Sequence, residues 1–278
     1  MTGRSSIGAA MGLTSLLFVP GSTPARFAKA LGSDADLICI DLEDAVASES
    51  KAAARAAAIG AIGPRVAIRI NGVTTDDGMV DLQALAAAPG LPDLVLLPKV
   101  ESADEIAIAR RHLPDAAFVP LIETARGLRS AHHIGQAPGV VAMMFGGGDL
   151  SGELGVALAW EPLAVARGLF ILACAEAGVP AIDVPWIVLD DATGLADEAR
   201  RAHAIGFQAK AAIHPAQLDA IHAAMRPSAD LVEEARAALA AYEAAGARAI
   251  RYQGRMLEAP IIRRYARIIN MAKARELT

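Results

Sequence analysis

Short apolar runs alternate with helical segments along most of this chain. Eight runs recur at fairly even spacing, at residues 15–19, 37–42, 65–70, 94–98, 118–122, 140–145, 181–188 and 207–213. Between them lie segments with helical periodicity, of which the clearest are 51–62, 102–112, 125–134, 163–177 and 196–205. Alternation of this kind is typical of a parallel sheet. Eight such units predict an α/β fold, a (β/α)8 TIM-type barrel with a C-terminal helical extension.

The barrel accounts for the chain only as far as residue 228. We therefore expect a catalytic barrel domain over residues 1–228 and a helical extension over residues 229–278. A closed barrel does not need such an arm, which commonly docks on its own barrel or, as we expect here, on a neighbouring subunit. A doubly wound dinucleotide-binding sheet is disfavoured, because no G-x-G-x-x-G sequence joins a strand to a helix.

Two neighbouring apolar runs end in a carboxylate. Glu123 follows residues 118–122, and residues 140–145 are followed by three glycines and then Asp149. Parallel strand ends share one rim, so the two acids should lie close together, and like charges that close need a proton or a cation between them. Carboxylate oxygens suit Mg²⁺ or Mn²⁺. The pattern predicts a divalent-metal site, although two surface acids at helix N-termini would have the same spacing.

Other polar residues follow the same strand ends. Arg69 stands in an apolar run, where it either clamps a substrate carboxylate or pairs with Asp41 or Glu43, and both can hold. We expect Asp41, Glu43 and Asp44 to orient the metal's waters or Arg69 from behind, although Asp44 could instead cap the next helix. The remaining polar residues at strand ends are Asn71, Lys99, Glu101, Asp183, Lys210 and His214.

Lys99 and His214 each have a second interpretation. A Schiff-base role for Lys99 is disfavoured, because the acids nearby favour its charged form. His214 precedes a proline and has a structural alternative to a place at the site.

Composition excludes several other classes of protein. The formal charge is −5 with scattered basic residues, which gives nucleic-acid binding no support. No apolar run approaches ~18 residues, so no transmembrane helix is expected. Residues 1–10 lack the apolar core of a secretory signal. Cys39 and Cys174 lie far apart in apolar surroundings, and we interpret them as buried thiols of a cytoplasmic enzyme.

Ordered motifs across residues 15–268 resemble those of one enzyme family. In chain order they are Leu17-Phe18-Val19-Pro20-Gly21, Asp41-Leu42-Glu43-Asp44-Ala45-Val46, Ile68-Arg69-Ile70-Asn71, Leu97-Pro98-Lys99-Val100-Glu101, Leu121-Ile122-Glu123-Thr124, Phe145-Gly146 with Asp149-Leu150, Gly206-Phe207 with Lys210, and Ile213-His214-Pro215-Ala216-Gln217. The chain resembles the citrate lyase β-subunit-like family of the HpcH/HpaI aldolase superfamily, and the related malyl-CoA and citramalyl-CoA lyases.

The resemblance implies roles for particular residues. Glu123 and Asp149 would hold Mg²⁺ (or Mn²⁺), and Arg69 would bind the carboxylate of a 2-oxo acid. Phe18 and Lys29 would help to hold CoA, with Ile213 and His214 beside the acyl part. The resemblance also implies a homotrimer or hexamer in which Glu258 of a neighbouring subunit serves as a catalytic acid. The full set of expected site residues is Phe18, Lys29, Asp41, Glu43, Asp44, Arg69, Lys99, Glu123, Gly148, Asp149, Ile213, His214 and Glu258.

Three positions depart from the family pattern. Thr14 and Thr23 stand where relatives carry arginine, which affects the expected CoA phosphate contacts. Glu258 stands where relatives carry aspartate, which affects the expected proton transfer.

The metal site together with the family resemblance predicts a Mg²⁺-dependent carbon–carbon lyase. Its expected substrate is a 3-hydroxyacyl thioester such as citramalyl-CoA, malyl-CoA or citryl-CoA. Three alternatives stay open: a thioesterase or synthase on the same thioesters, an HpaI-type aldolase on free hydroxy-oxo acids, and a citrate lyase subunit that needs an acyl carrier protein.

Overall fold

The computed structural model describes residues 12–276, with side chains as far as residue 273. The chain forms two compact units, which divide between Met225 and Arg226. The prediction of no secretory signal concerns residues 1–10 and lies outside the described residues. The domain boundary after residue 228, and the docking of the extension on a neighbouring subunit, stay predictions.

The first unit contains a closed barrel of eight parallel strands in chain order, with β1 paired to both β2 and β8. The predicted (β/α)8 fold is confirmed, and each strand falls within or largely overlaps one of the eight apolar runs. The strands are β1 (Ser15–Pro20), β2 (Leu37–Asp41), β3 (Val66–Arg69), β4 (Leu94–Leu97), β5 (Phe118–Ile122), β6 (Met143–Phe145), β7 (Ala181–Asp183) and β8 (Ala209–Ala212).

Helices follow the strands and cover the outside of the barrel. Threonine side chains begin two of them: Thr75 accepts from the Gly78 N–H, and Thr124 accepts from the Gly127 N–H. The helices are α1 (Phe27–Leu31), α2 (Lys51–Gly60), α3 (Asp76–Ala86), α4 (Ala103–His112), α5 (Ala125–Gly135), α6 (Gly147–Leu154), α7 (Trp160–Ala177), α8 (Ala192–Ile205) and α9 (Leu218–Met225).

Alternate residues of each strand face two different cores. In β1, Leu16 and Phe18 belong to the core inside the barrel, whereas Leu17 and Val19 pack against the helices outside. This period of two fixes the direction of every residue at a strand end. Asp41, Arg69 and Glu123 have the parity of inward-facing residues, whereas Asp183 and Lys210 have the opposite parity.

Asp183 and Lys210 accordingly face outwards and form a buried ion network with α7 and α8. Lys210 Nζ lies 2.6 Å from Asp183 Oδ2 and 2.8 Å from Glu198 Oε1. Arg167 Nε lies 3.1 Å from Asp183 Oδ1. These four side chains are almost fully buried. Removing one partner from such a network costs about 3–5 kcal/mol, because the others would be buried uncompensated. The network therefore braces the strand ends instead of lining the barrel mouth.

The second unit is a helix pair with a small hairpin. Helix α10 (Ala229–Ala244) and helix α11 (Ala259–Glu276) flank the antiparallel strands β9 (Ile250–Tyr252) and β10 (Arg255–Leu257). The turn residues Gln253 and Gly254 both have positive φ, as a tight two-residue hairpin requires. A small apolar core holds the unit together, and Ala238, Leu257 and Tyr265 belong to it. The sequence predicted the helices here but not the hairpin.

Candidate active site

Arg69 is held in place by two acids at the mouth of the barrel. Its Nε and Nη2 each donate to an oxygen of Asp41 at 2.7 Å, and its Nη1 lies 2.8 Å from Glu43 Oε2. The sequence left open whether Arg69 pairs with Asp41 or with Glu43, and the structure shows that it contacts both.

These contacts decide how much of the Arg69 guanidinium is left for a ligand. Burial alone would lower its pKa, but the Asp41 hydrogen bonds and the nearby carboxylates raise the pKa of Arg69, so the group stays charged. The Phe18 ring lies 5.3 Å from Arg69 Cζ, at cation–π distance. Glu43 Oε2 makes no hydrogen bond among the described residues, so its contact with Nη1 is electrostatic, and Nη1 and Nη2 keep N–H groups that can bind a carboxylate.

Lys99 connects the acids that surround this arginine. Its Nζ lies 2.6 Å from Glu43 Oε1, 3.2 Å from Asp44 Oδ1 and 3.5 Å from Asp149 Oδ2. Partial burial acts to lower its pKa, but Glu43 and Asp44 raise the pKa of Lys99 overall, so it is an ammonium ion. Its charge offsets acids on two segments, the loop after β2 and the start of α6, and Asp44 points to Lys99 instead of capping α2.

The Lys99 backbone holds the buried Glu123. The Lys99 amide, at φ +52°, donates to Glu123 Oε2 at 2.8 Å. Burial, followed by the charge of Glu43, raises the pKa of Glu123 to about 7. An ionised carboxylate here needs a nearby positive charge.

Gly146 gives this carboxylate its space. A Cβ on Gly146 would lie 2.0 Å from Glu123 Cγ, so no other residue fits without moving Glu123. A Cβ on Gly148 would meet no atom within 4 Å, so Gly148 borders open space at the start of α6, beside Asp149. The glycines of this loop thus have two functions: Gly146 makes room for an acid, and Gly148 leaves room for a ligand.

A cavity of about 560 Å³ opens at the mouth and has two unlike sides. We call Asp41, Arg69, Lys99, Glu123 and Asp149 the polar half, and all of them except Lys99 line the cavity. We call the apolar wall the lining side chains that follow β6 and β7, which are Leu158, Val184, Pro185 and Ile187.

The polar half fits a magnesium ion better than zinc. No group of three or more His, Cys, Asp or Glu side chains placed for a metal occurs among the described residues. Glu123 and Asp149 supply two carboxylates, and the electrostatic effect of Asp149 reaches Glu123. Mg²⁺ commonly uses one or two carboxylates and fills its other positions with water or substrate. The two acids therefore match the ligand set of such an ion.

A second cavity of about 330 Å³ adjoins the first and shares Phe18, Pro20, Arg26 and Ile213 with it. Lys29 and His214, both expected near CoA, line this second cavity. His214 also has the structural role, because its Nδ1 accepts from the Ala216 N–H at 3.2 Å.

Arg26 is a cation that the sequence analysis missed. It lines both cavities and is exposed. Its signal in the sequence was a basic residue three positions after Thr23, where relatives carry arginine.

Glu258 is the expected site residue that the first unit does not contain. It is exposed in the second unit, at the residue before α11, where its carbonyl accepts from the Ile262 N–H at 3.0 Å. Its catalytic role stays a prediction.

Family models identify the chain over most of its length. Residues 14–215 match the model described as HpcH/HpaI aldolase/citrate lyase. Residues 172–275 match a second model, described as a C–C bond lyase of the TIM-barrel fold. The chain belongs to the HpcH/HpaI aldolase/citrate lyase family. The resemblance carried by the sequence motifs is thereby confirmed, and both families are named for lyases.

Known relatives agree with this membership. A (3S)-malyl-CoA thioesterase of Cereibacter sphaeroides is 36% identical over 83% of this chain and 83% of its own. An L-malyl-CoA/β-methylmalyl-CoA lyase of the same species is 32% identical over 92% of this chain and 93% of its own. The crystal structure of CitE from Mycobacterium tuberculosis, in complex with magnesium, acetoacetate and coenzyme A, is 35% identical, with a TM-score of 0.79 over 94% of this chain and 98% of its own.

Two of the positions that depart from the family pattern, Thr14 and Thr23, lie in the first unit, at opposite ends of the barrel. Thr14 is buried at the N-terminal end of β1, where its backbone N–H donates to Asp36 at 2.8 Å. That end of the barrel is opposite the mouth, so Thr14 has no bearing on the cavities. Thr23 lies in the loop after β1, on the side of the mouth, and its hydroxyl donates to the Pro20 carbonyl.

One further expectation concerned membranes. Among the described residues, no helix is long and apolar enough to cross a lipid bilayer.

Proposed function

We propose that this chain is a Mg²⁺-dependent carbon–carbon lyase that cleaves a carboxylate-bearing 3-hydroxyacyl thioester into a 2-oxo acid and an acyl thioester. The observation that carries the proposal is that the buried Glu123, Asp149 and Arg69 line one cavity, with N–H groups of Arg69 left for a ligand. A metal site and a carboxylate clamp then lie in one cavity. Family membership supports the lyase class.

Glu123 and Asp149 would hold the metal, with Mg²⁺ preferred and Mn²⁺ as a substitute. When bound, the ion would polarise the hydroxyl or oxo oxygen of the substrate as a Lewis acid and fix its orientation. Its positive charge would also stabilise the ionised form of Glu123, whose pKa is about 7 without it.

Arg69 would bind the substrate carboxylate through the remaining N–H groups of Nη1 and Nη2. Asp41 binds Nε and Nη2, and Glu43 Oε2 lies 2.8 Å from Nη1, so the guanidinium is positioned before the substrate arrives. A fixed clamp lowers the entropy that is lost when the reacting carbon atoms are brought into line.

Cleavage then needs two proton movements around one bond. A base removes the proton of the 3-hydroxyl group, the C2–C3 bond breaks, and its electron pair moves onto the thioester as an enolate. The enolate carbon takes up a proton and becomes the acyl thioester, while the former hydroxyl carbon becomes the keto carbon of the 2-oxo acid. Glu258 of a neighbouring subunit is our candidate for the proton donor, which requires a homotrimer or hexamer.

The second cavity is our candidate for the CoA path. Phe18 and Ile213 would contact the thioester arm, and the cationic Arg26 and Lys29 would attract the phosphates. Arg26 would supply the charge that is missing at Thr23. The named relatives act on CoA esters or bind coenzyme A, which favours CoA over an acyl carrier protein as the thiol.

The test is incubation with a panel of hydroxyacyl-CoA esters, with and without Mg²⁺, and mass spectrometry of the products. A lyase releases an acyl-CoA and a 2-oxo acid only when Mg²⁺ is present. A thioesterase is the second candidate, because one relative carries that name, and it would release free CoA and the intact hydroxy acid. Release of a 2-oxo acid from a free hydroxy-oxo acid would favour the aldolase alternative.

A further inference from the structure

Two neighbouring loops shape the cavities at the mouth of the barrel. The loop after β7 lines the mouth cavity with residues that include Ile187. In the loop after β8, Ile213 lines both cavities, and His214 beside it lines the second. The direct pairing of β7 with β8 ends at Asp183 and Lys210, so both loops lie beyond the last pair of the ladder. Other contacts therefore set the position of one loop relative to the other.

Gln217 joins the two loops through its side-chain amide. Its Nε2 donates to the Trp186 carbonyl, in the loop after β7, at 2.8 Å. Its Oε1 accepts from the backbone N–H groups of Ile213 at 2.9 Å and His214 at 3.3 Å. The side chain is buried and lines neither cavity. The amide thus uses its donor on one loop and its acceptor on the other, which a carboxylate or an apolar side chain cannot do.

Lys210 holds the loop after β7 at a second point. Its Nζ donates to the Val184 carbonyl at 2.7 Å, and the buried ion network with α7 and α8 neutralises its charge. Two carbonyls of this loop, those of Val184 and Trp186, are therefore bound by side chains from residues 210–217. Pro185 lies between them in the chain and lines the mouth cavity. This part of the cavity lining is tied to the β8 segment on either side.

Helix capping explains only some of the Gln217 hydrogen bonds. Pro215–Gln217 form a short 3-10 turn, and the Gln217 side chain reaches back to the N–H groups before it. A reciprocal cap of this kind satisfies backbone donors that are close in sequence. The Trp186 carbonyl is 31 residues away, and binding it does not cap the turn. The amide nitrogen of Gln217 therefore has a second function, which concerns the relation between the two loops.

We propose that Gln217 is a positioning residue: its bond to Trp186 holds the loops after β7 and β8 together and so fixes Ile213, which borders both cavities. The inference rests on the proposed function, in which the second cavity receives CoA. Gln217 itself lies behind the lining and does not touch the substrate. Without the bond, the loops would populate other positions, and only the fraction of molecules with the correct one would bind the thioester.

Gln217→Glu breaks the link between the loops and keeps the local cap. The new side chain has the same shape, and one oxygen still accepts from the Ile213 and His214 N–H groups. The other oxygen, as a carboxylate, has no proton to donate to the Trp186 carbonyl. If the loops then keep the binding position in about a tenth of the molecules, the dissociation constant for coenzyme A rises about tenfold. Calorimetric titration of the purified protein with coenzyme A measures this.

Two further measurements separate positioning from a general loss of structure. The proposed metal ligands Glu123 and Asp149 follow β5 and β6, so the Mg²⁺ dissociation constant of Gln217→Glu should stay unchanged. Kinetics should show a higher KM for a hydroxyacyl-CoA with a smaller change in kcat. Trp160→Phe leaves Trp186 as the one tryptophan of the chain. In that background, Gln217→Glu should make the Trp186 fluorescence easier to quench with acrylamide, because the loop is released.

Gln208→Glu is the matched control. The Gln208 amide donates to the Gly206 carbonyl at 3.4 Å within its own loop, before β8 and away from the mouth. The same change of amide to acid there should leave coenzyme A affinity unaltered. Gln217→Met, which is uncharged and of similar length, replaces Gln217→Glu if a buried carboxylate prevents folding. It should weaken coenzyme A binding at least as much, because it also releases the Ile213 and His214 N–H groups.

The results that would overturn the inference differ from those that would overturn the proposed function. Unchanged coenzyme A affinity in Gln217→Glu and Gln217→Met, with Trp186 more accessible, would show that the link is broken without consequence for the site. Equal weakening of Mg²⁺ and coenzyme A binding would replace positioning by a general structural role. In both cases the lyase proposal stands. If the unaltered protein binds neither coenzyme A nor a hydroxyacyl-CoA, the proposed CoA path fails, and the inference fails with it.

Discussion

The polar half and the apolar wall of the barrel mouth differ in how firmly their side chains are held before a ligand binds. In the polar half, Arg69, Lys99 and Glu123 are already tied to one another or to Glu43 by contacts of 2.6–2.8 Å. In the apolar wall, the Ile187 side chain is more than half exposed to solvent. The polar half therefore suits catalysis, and the apolar wall suits discrimination between substrates.

The difference has an energetic basis. Buried charges are stable only when they are paired, so Asp41 and Glu123 are each fixed by a partner and tolerate little change. An apolar surface gains from any contact that removes it from water, so the wall can accept different side chains. Substitutions in the polar half should therefore change the rate of the chemical step, and those in the wall should change the choice of substrate.

The largest effect should follow Glu123→Gln, which keeps the shape of the side chain and removes its charge. We expect Mg²⁺-dependent turnover to fall by about 1,000-fold or more, because the ion loses a ligand and its Lewis-acid contribution. Mass spectrometry of products from a hydroxyacyl-CoA measures this. Retained turnover that EDTA abolishes would contradict the ligand assignment. Glu176→Gln, an exposed glutamate on α7, is the control.

The same variant should be more stable than the parent at pH 8 without metal. The folded pKa of Glu123, about 7, lies above its ordinary 4.5, so the folded state binds more protons between these values and its stability falls as pH rises through them. Glutamine does not titrate, so the variant does not lose this stability as the pH rises. Thermal unfolding in EDTA should show a Tm higher by a few degrees at pH 8 and almost no difference at pH 5. A lower Tm at pH 8 would mean that the Glu123 charge stabilises the fold.

Much of the polar half could be predicted from the sequence. Arg69 lies in an apolar run and Glu123 follows one, and in the barrel both have the parity of inward-facing residues. Asp183 and Lys210 have the outward parity, which the sequence could not show because both faces of these strands are apolar. Their position at strand ends alone suggested otherwise.

The rest depended on contacts between elements that no local pattern encodes. Helix α6 begins among three glycines that resembled a turn, and α3 contains Gly78, so neither showed a clear helical signal. The apolar wall combines residues after β6 and β7 that are 26 positions or more apart, and only closure of the barrel brings them together. The partners of Lys99 likewise come from two separate segments, the loop after β2 and the start of α6.

Gly146→Ala should have the second largest effect. The new methyl group would lie 2.0 Å from Glu123 Cγ, so the carboxylate must move. A displacement of about 1 Å at a catalytic group can cost about 100-fold in rate. Steady-state kinetics should therefore show kcat lowered by about that factor. Gly152→Ala, where a Cβ meets no atom within 4 Å, is the matched control in the helix that Gly146 precedes. Equal rates for the two variants would show that Glu123 tolerates displacement.

Magnesium affinity should depend on pH through the same carboxyl group. The ion needs ionised Glu123, and below its pKa of about 7 a proton competes for the site. We expect the Mg²⁺ dissociation constant to fall by almost tenfold from pH 5.5 to 6.5 and to level off above pH 8. Calorimetry in two buffers of different ionisation enthalpy would also detect the released proton. A dissociation constant that is flat from pH 5.5 to 8 would exclude Glu123 as a ligand that must lose a proton.

The smallest effect should follow Arg26→Ala, at the entrance between the two cavities. Because Arg26 is exposed, we expect a rise of about five- to tenfold in KM for the CoA thioester with kcat little changed. High salt should reduce the difference, since exposed charges are screened. Arg111→Ala, which removes an exposed arginine on α4, is the control. A fall in kcat with KM unchanged would instead place Arg26 at the reacting centre, beside Arg69, and would give the cavity a second anchor for a carboxylate.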